Sequence, residues 1–238
     1  MAPVISQNYQ DIENNYSSVV LLGYSPSPRE CMNWELGSRY LFNEDEFNRV
    51  KRTIWNSPDY EDHRTIIDIC ETSSDQYTSA ALEGVLFGTN VVMQDGPVDL
   101  GDVCKINPTN ERNACYFTRA NLCISVSCYG RADFDILSWA KNIDQDIASF
   151  PESDFEGLML SSIDDTISVG RTVEITYSLE WSLGEFGYYK FFAINGELSL
   201  NVNSLMFLPN NRGQASIAGF AIEYGKPTFG GMLKLNII

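Results

Sequence analysis

Residues 122–128 of this chain read Leu-Cys-Ile-Ser-Val-Ser-Cys. Bulky apolar side chains alternate here with small ones, and a period of two is typical of a β-strand whose successive side chains point to opposite faces. The stretch therefore predicts a strand with one buried face. Cys123 and Cys128 are an odd number of residues apart and point to opposite faces, so a direct bond between them would require a bend in the strand.

Further strands are predicted before this one along the chain. Residues 64–70 form an apolar run that is typical of a buried strand. Shorter strand candidates, separated by turn residues, lie at residues 89–94, 102–106 and 114–118, and the quoted strand itself extends over residues 121–129.

Three segments show helical patterns instead. Over residues 133–148, apolar side chains recur on one helical face, namely at Ile136, Leu137, Ala140, Ile143 and Ile147. Asn43 and Glu46 have the spacing of a helix cap, so a helix is predicted from residue 43 to about residue 55, with Lys51 on its apolar stripe. Another helix is predicted from the cap at residues 73–76 to about residues 84–88.

These elements divide the chain into two predicted domains. Residues 1–150 are predicted to form an α+β domain, an antiparallel sheet with helices. Residues 150–154 are polar and contain a proline, which favours a domain boundary there. Residues 151–238 show no helical pattern, and their seven short strands predict an all-β Ig-like sandwich. The strand candidates lie at residues 158–163, 172–181, 188–194, 197–202, 204–208, 214–224 and 228–237.

Both predicted domains resemble known kinds of exported module. In the second, residues 169–173, 195–198, 211–217 and 233–237 look like the turns and strands of bacterial Ig-like or cadherin-like surface modules, although the Cys–Trp–Cys core of antibody domains is absent.

The first domain resembles exported bacterial lipoprotein-type domains. The resemblance is carried by residues 100–102 (Leu-Gly-Asp), by residues 117–121 (Phe-Thr-Arg-Ala-Asn) and by the helix that contains Ala140 and Asp144. These resemblances imply a secreted or cell-surface location and no defined chemistry.

The net charge of the chain limits the classes of partner that it is expected to bind. The 238 residues include 32 acidic and 16 basic side chains, a formal net charge of −16, which repels nucleic-acid backbones and anionic membrane surfaces. Cationic partners and calcium are compatible with it. No apolar run reaches the roughly 18–20 residues of a membrane helix. Residues 1–3 do not resemble a signal peptide, so an exported form is expected to be the mature chain.

The six cysteines indicate the redox conditions of the compartment in which the protein folds. They all lie in the first 130 residues, and their even number favours disulfides formed in an oxidising compartment, although six buried free thiols are the alternative. Cys104 and Cys115 flank a turn-rich segment and are predicted to form a disulfide across a hairpin. The loop at residues 107–112 would then be a stapled recognition element or an ordinary turn.

Three aspartates make the densest acidic cluster. Asp95, Asp99 and Asp102 lie among glycines and could supply oxygen ligands to calcium, or could cap backbone amides in a turn-rich loop. Asp164 and Asp165 form a second, smaller candidate calcium site. The chain contains one histidine, which excludes a metal site built from several histidines.

An aromatic cluster in the second domain is the candidate ligand-binding surface. Trp181, Tyr188 and Tyr189 could stack on sugars or anchor a protein partner if they are exposed, and the alternative is core packing.

The predicted function is therefore an exported or cell-surface binding protein without catalytic activity, whose first domain engages a protein partner. A carbohydrate-binding or carbohydrate-processing surface protein is the alternative, and a small hydrolase with an acidic site is a third reading. An exposed aromatic strip would favour the carbohydrate-binding protein, and a pocket with two carboxylates would favour the hydrolase.

Overall fold

The structure is a computed structural model that describes residues 6–7, 22–43, 49–72, 75–89, 92–107, 114–130, 135–150, 154–223 and 229–238. Within these ranges the chain forms two compact units. Residues 24–150 make the first unit. Residues 6–7, 22–23 and 154–238 make the second, to which the short strand β1 (Ser6–Gln7) belongs.

The first unit is built on an antiparallel sheet of seven strands in the order β2-β3-β4-β8-β7-β6-β5. The strands are β2 (Glu35–Asn43), β3 (Arg49–Asn56), β4 (Arg64–Glu71), β5 (Gln94–Asp95), β6 (Val103–Ile106), β7 (Ala114–Arg119) and β8 (Leu122–Tyr129). The quoted stretch is the central strand β8, and the prediction of one buried face is confirmed because Leu122, Ile124 and Val126 are fully buried.

Two helices pack against this sheet. The helix α1 (Asp75–Phe87) lies on the face that carries Cys70 and Cys123, where Leu82 packs against both cysteines. The helix α2 (Ile136–Ser149) bonds through Asp144 to Arg119, whose side chain lies on the other face because side chains alternate along β7. The predicted helices at residues 73–88 and 133–148 are confirmed where the structure describes them.

The predicted α+β class of the first domain is wrong. The described part of that domain is dominated by its sheet and contains only the two short helices. The segment predicted as a helix from residue 43 to about residue 55 is instead β3, and residues 44–48 lie outside the described ranges. Val50, Thr53 and Ile54 are β-branched and favour a strand, while Lys51 points inward instead of lying on a helical stripe.

The second unit is a β-sandwich of two sheets around one core. One sheet has the order β1-β13-β16-β17-β11, with β9 also paired to β17, and the other has the order β10-β12-β15-β14. Its remaining strands are β9 (Asp154–Gly157), β10 (Met159–Ser162), β11 (Thr166–Ile167), β12 (Val173–Ser178), β13 (Tyr188–Ile194), β14 (Gly196–Leu200), β15 (Ser204–Pro209), β16 (Gly213–Ile222) and β17 (Phe229–Ile237).

The core of the sandwich draws side chains from both sheets. Ile175 and Phe207 come from one sheet, while Phe191, Ile217 and Leu235 come from the other. The seven strands predicted from alternation correspond to β10 and β12–β17, so their positions are confirmed. The parallel pairings of β1, β9 and β11 were not predicted, because two- to four-residue strands show too little periodicity.

A buried ion pair lies on the inner face of the first unit. Lys51 Nζ donates hydrogen bonds to Glu71 Oε1 and, at 2.6 Å, to the carbonyl oxygen of Tyr24. Burial lowers the pKa of Lys51, and the carboxylate of Glu71 opposes that shift. The pair joins β3 to β4 and also holds the chain segment that precedes β2.

We expect Lys51→Met to lower the free energy of unfolding by about 3 kcal/mol, because it leaves the Glu71 carboxylate buried without its cation. The double variant Lys51→Met/Glu71→Leu should recover part of that loss. Urea denaturation measures both. Lys105→Met, which removes the more exposed pair between Lys105 and Asp95, is the control and should change stability much less than Lys51→Met does. Equal losses in Lys51→Met and the control would contradict the prediction.

Asp135 caps the N-terminus of α2. Its carboxylate accepts hydrogen bonds from the Ser138 hydroxyl and, at 3.1 Å, from the Ser138 backbone N–H. These bonds hold the pKa of Asp135 below its ordinary value.

Replacing Asp135 with alanine should lower the free energy of unfolding at pH 7 by about 1 kcal/mol, because the first turn of α2 loses an acceptor. The folded-state pKa lies below the unfolded value of about 3.9, so this contribution is present above that value. It is lost as the pH falls through the folded-state pKa. Urea denaturation over a pH series measures it, with Gln145→Ala on the same helix as control. A difference that does not change with pH would contradict the prediction.

Candidate functional site

A groove of about 540 Å³ lies between α1 and the sheet of the first unit. Three adjacent strands form its floor and one side of the helix forms its wall. The residues that line it are Val50, Arg52, Asp68, Cys70, Ala81, Gly84, Val85, Gly88, Cys123 and Ser125.

The strand register arranges the floor in two rows. Val50, Cys70 and Cys123 are register partners across β3, β4 and β8, and they make an apolar row. Two residues along the strands, Arg52, Asp68 and Ser125 are register partners in the same way and make a polar row. Side chains two residues apart share a face and are about 7 Å apart along a strand. The groove therefore offers an apolar surface next to a polar one.

The polar row is dominated by a two-pronged ion pair. Arg52 donates from Nε to Asp68 Oδ1 and from Nη2 to Asp68 Oδ2, both at 2.7 Å. The hydrogen bonds to Asp68 raise the pKa of the Arg52 guanidinium. Because two parallel bonds hold the planar guanidinium, the pair is a rigid polar surface whose charges balance one another.

Small side chains on α1 leave the groove open. Ala81, Gly84 and Val85 recur at helical spacing along one side of α1, and Gly88 directly follows the helix. A Cβ atom added at Gly84 would meet no atom within 4 Å, so no neighbour requires a glycine there. Glycine inside a helix costs about 1 kcal/mol relative to alanine. Gly84 thus lowers helix stability while leaving space beside the sheet.

The three residues of the predicted aromatic ligand site lie in different environments in the structure. Tyr188 and Tyr189 point to opposite faces of β13, and Tyr188 is buried. The Tyr189 ring packs at 4.9 Å from the Tyr177 ring, measured between centroids, and borders the sandwich core. Trp181 follows β12 and is 42% exposed. The three side chains therefore do not form one exposed strip.

The three predicted calcium ligands have separate cationic partners. Asp95 pairs with Lys105, Asp99 with Lys141 at 3.1 Å, and Asp102 with Arg119 at 3.2 Å. In the second unit, Asp164 pairs with Arg171 at 3.2 Å. In the part of the chain that the structure describes, no group of three or more histidine, cysteine, aspartate or glutamate side chains could hold a metal ion. The predicted calcium site therefore has no counterpart in these ranges.

Asp102 also caps a turn, as the alternative reading proposed. Its Oδ2 accepts a hydrogen bond at 2.8 Å from the backbone N–H of Ala120, a residue with a positive φ of 49°. Side-chain capping of this kind stabilises a tight turn. The role of Asp102 in the described ranges is therefore to join the segment before β6 to the β7–β8 turn.

The three stretches on which the predicted resemblance to lipoprotein-type domains depends meet around Asp144. Arg119 donates from Nε and Nη2 to the two oxygens of Asp144 at 2.7 and 2.6 Å, and the Gly101 backbone N–H donates to Asp144 Oδ2 at 3.1 Å. Gly101 has a φ of +66°, and a Cβ there would lie 2.5 Å from the Thr118 carbonyl oxygen. The network joins α2 to two loops and is a structural element on the face opposite the groove.

The predicted cysteine pair is close together. The Sγ atoms of Cys104 and Cys115 are 3.7 Å apart and unbonded, and no disulfide joins any of the six cysteines in the structure. Their mutual hydrogen bond lowers the pKa of Cys104 and raises that of Cys115, and burial raises the latter further. The disulfide stays a prediction. The tip of the loop at residues 107–112 lies outside the described ranges after Asn107.

Sequence reasoning missed the groove because it assigned β3 to a helix. In a helix, Arg52 would not have lain beside Asp68. Two signals pointed to the correct element. Val50, Thr53 and Ile54 are β-branched residues that favour a strand, and Asp68 interrupts the apolar residues of β4 with a charge that needs a partner.

Comparison with known proteins adds little to this geometry. The chain matches no protein-family model, and no curated protein sequence matches it. Among solved structures, it has a weak similarity to PcoC, a methionine-rich copper resistance protein from Escherichia coli. The identity is 12%, the match covers 36% of this chain and all of PcoC, and the TM-score is 0.24.

None of the helices in the described residues has the length and apolar character needed to cross a membrane.

We expect Cys104 and Cys115 to be joined in protein that has folded in an oxidising compartment, because their Sγ atoms lie 3.7 Å apart on one face of the neighbouring strands β6 and β7. Peptide mapping without reduction should recover one linked peptide containing both residues. Cys104→Ser should abolish that peptide and leave Cys115 as a thiol that is alkylated once the protein is denatured. Finding both residues alkylated after denaturation without reduction would contradict the prediction.

Proposed function

We propose that this is a binding protein, exported or held at a cell surface, that holds a neutral and largely apolar small molecule in the groove of its first unit. The observation that carries the proposal is the two-row floor, an apolar row of Val50, Cys70 and Cys123 beside a polar row of Arg52, Asp68 and Ser125.

The size of the groove supports a small-molecule ligand. Its volume of about 540 Å³ lies within the range of about 300–1,000 Å³ that is usual for such sites. Apolar surface with a few convergent polar groups is also the usual composition of a ligand pocket. The apolar part of the ligand would lie on the cysteine row, and one hydrogen-bonding group would face the Arg52–Asp68 pair.

Charge favours a neutral ligand. Arg52 and Asp68 neutralise one another, so the groove does not need a ligand charge for balance. The net charge of −16 disfavours anions as ligands of the whole protein. A ligand with an amide, hydroxyl or carbonyl group satisfies the polar row without the cost of burying a further charge.

The cysteines support the exported location. All six lie within the first unit, and the structure brings Cys104 and Cys115 to 3.7 Å. Proteins that fold in oxidising compartments are the ones in which such pairs form stable bonds. The carbohydrate alternative has less support, since Trp181, Tyr188 and Tyr189 do not share one exposed face.

The test uses Nile red, a neutral apolar dye whose fluorescence rises when it leaves water. We expect one saturable site on the full-length protein. Ala81→Phe should weaken binding by about tenfold or more, equivalent to about 1.4 kcal/mol, because the ring enters the groove beside the cysteine row. Ala80→Phe adds the same ring at the neighbouring exposed position of α1 and should leave binding unchanged.

Circular dichroism and urea denaturation confirm that each variant is folded, since unfolded or partly folded chains also bind apolar dyes. The anionic dye 8-anilinonaphthalene-1-sulfonate should bind more weakly than Nile red. Absence of saturable Nile red binding, or equal binding by the Ala81→Phe and Ala80→Phe variants, would refute the proposal.

A further inference from the structure

A second pair of cysteines lies on the floor of the groove. Cys70 in β4 and Cys123 in β8 are direct register partners in the antiparallel pair. Both line the groove, and both pack against Leu82 of α1. Nothing in their local sequence indicates this pairing, since 52 residues of the chain lie between them.

We propose that Cys70 and Cys123 are a second site of disulfide formation, a cross-strand bond that joins β4 to β8 beneath α1. Directly opposed residues in antiparallel strands have Cα atoms about 4.5–5.5 Å apart. Disulfides span Cα separations of about 4.4–6.8 Å. The backbone therefore already holds the two residues at a distance that a disulfide can bridge.

The other cysteines in neighbouring strands are excluded as partners by the sheet. Cys128 lies an odd number of residues from Cys123 in the same strand and points to the other face. Cys104 is a register partner of Phe117, which is itself a register partner of Ile124, so Cys104 also lies on that other face. Of the four cysteines placed in strands β4, β7 and β8, Cys70 and Cys123 alone face the groove.

The groove gives small reagents a route to these thiols. Cys70 and Cys123 are 9% and 4% exposed and border the open volume, whereas Cys31 and Cys115 are completely buried. Thiol–disulfide exchange depends on such access. We therefore expect the groove thiols to react with a small disulfide or an alkylating reagent before Cys31 and Cys115 do.

The bond forms in two exchange steps with a small disulfide such as oxidised glutathione. The thiolate of one cysteine attacks a sulfur of glutathione disulfide, forms a mixed disulfide and releases one glutathione thiolate. The thiolate of the second cysteine then attacks the protein sulfur of that mixed disulfide and releases the second. The two protein thiols are oxidised, glutathione disulfide is reduced to two glutathione thiols, and these take up the two protons.

The bond would change both stability and the groove. It would close a loop that contains α1, β5, β6 and β7, and closing a long loop restricts the unfolded chain more than closing the shorter Cys104–Cys115 loop. It would also replace two thiols of the apolar row with one cystine. The inference does not require the groove to hold a ligand.

The experiment incubates the reduced, folded full-length chain with reduced and oxidised glutathione, blocks free thiols by alkylation and maps peptides without reduction. We expect a linked peptide that contains Cys70 and Cys123, and a higher thermal midpoint than in the fully reduced protein. Cys70→Ser and Cys123→Ser should each remove that peptide, and Cys128→Ser should keep it as the matched control from the other face of β8.

A second measurement on the wild-type chain does not depend on any variant folding. Brief alkylation of the reduced native protein should modify Cys70 and Cys123 before Cys31 and Cys115. Recovery of Cys70 and Cys123 as separate alkylated residues after oxidation would overturn the inference, as would their appearance in bonds to other cysteines. Equal alkylation rates for all six thiols would also overturn it.

Failure of this inference is distinguishable from failure of the proposed function. Nile red binding is measured on the reduced protein and reports the groove as a ligand site. Peptide mapping reports the bond. Dye binding without the linked peptide would refute the disulfide alone, and the linked peptide without dye binding would refute the ligand site alone.

Discussion

The register in which β4 pairs with β3 and β8 determines both faces of the first unit. Since side chains alternate along each strand, one choice of register assigns every residue of the three strands to a face. On one face it places Lys51 within reach of Glu71 and packs Ile67, Ile124 and Val126 in the interior. On the other it creates the apolar and polar rows of the groove. A shift by one residue would bury the Arg52 row and expose the apolar interior.

The two faces have different consequences for stability and for function. The inner face is covered, and its charges are paired in the Lys51–Glu71 and Arg119–Asp144 interactions. The groove face is only partly covered, because α1 carries small residues where it passes over the sheet. Its ion pair, Arg52–Asp68, is exposed enough to meet a ligand and is held firmly enough to present a constant surface. Incomplete packing is therefore the property that makes this face a candidate site.

In the sandwich of the second unit, by contrast, the candidate binding side chains are mostly packed. Its aromatic side chains, which suggested a binding surface, are largely used in packing, and Tyr177, Tyr189 and Phe191 contact one another at the border of the core. Each large aromatic ring buries much apolar area and is therefore favoured in packing. An aromatic-rich strand is thus weak evidence for a site until the structure shows which rings are exposed.

Strand patterns were sufficient to locate β4, β6, β7, β8 and the main strands of the sandwich, by an apolar run for β4 and by strand-like stretches between turn residues for the others, and helical periodicity located α1 and α2. Both patterns are local, because a side chain's direction follows from the backbone of its own segment. Residues 49–56 were assigned wrongly because Lys51 fits the apolar stripe of a helix, with its ammonium group reaching solvent, as well as a buried strand position, and only its partner Glu71 distinguishes the two.

The pairing of segments that are distant along the chain could not be predicted from these local patterns. The register of β3 with β4 and of β4 with β8 depends on how whole faces pack together. For that reason the Arg52–Asp68 pair, the opposition of Cys70 and Cys123, and the groove that contains them emerge only in the folded protein.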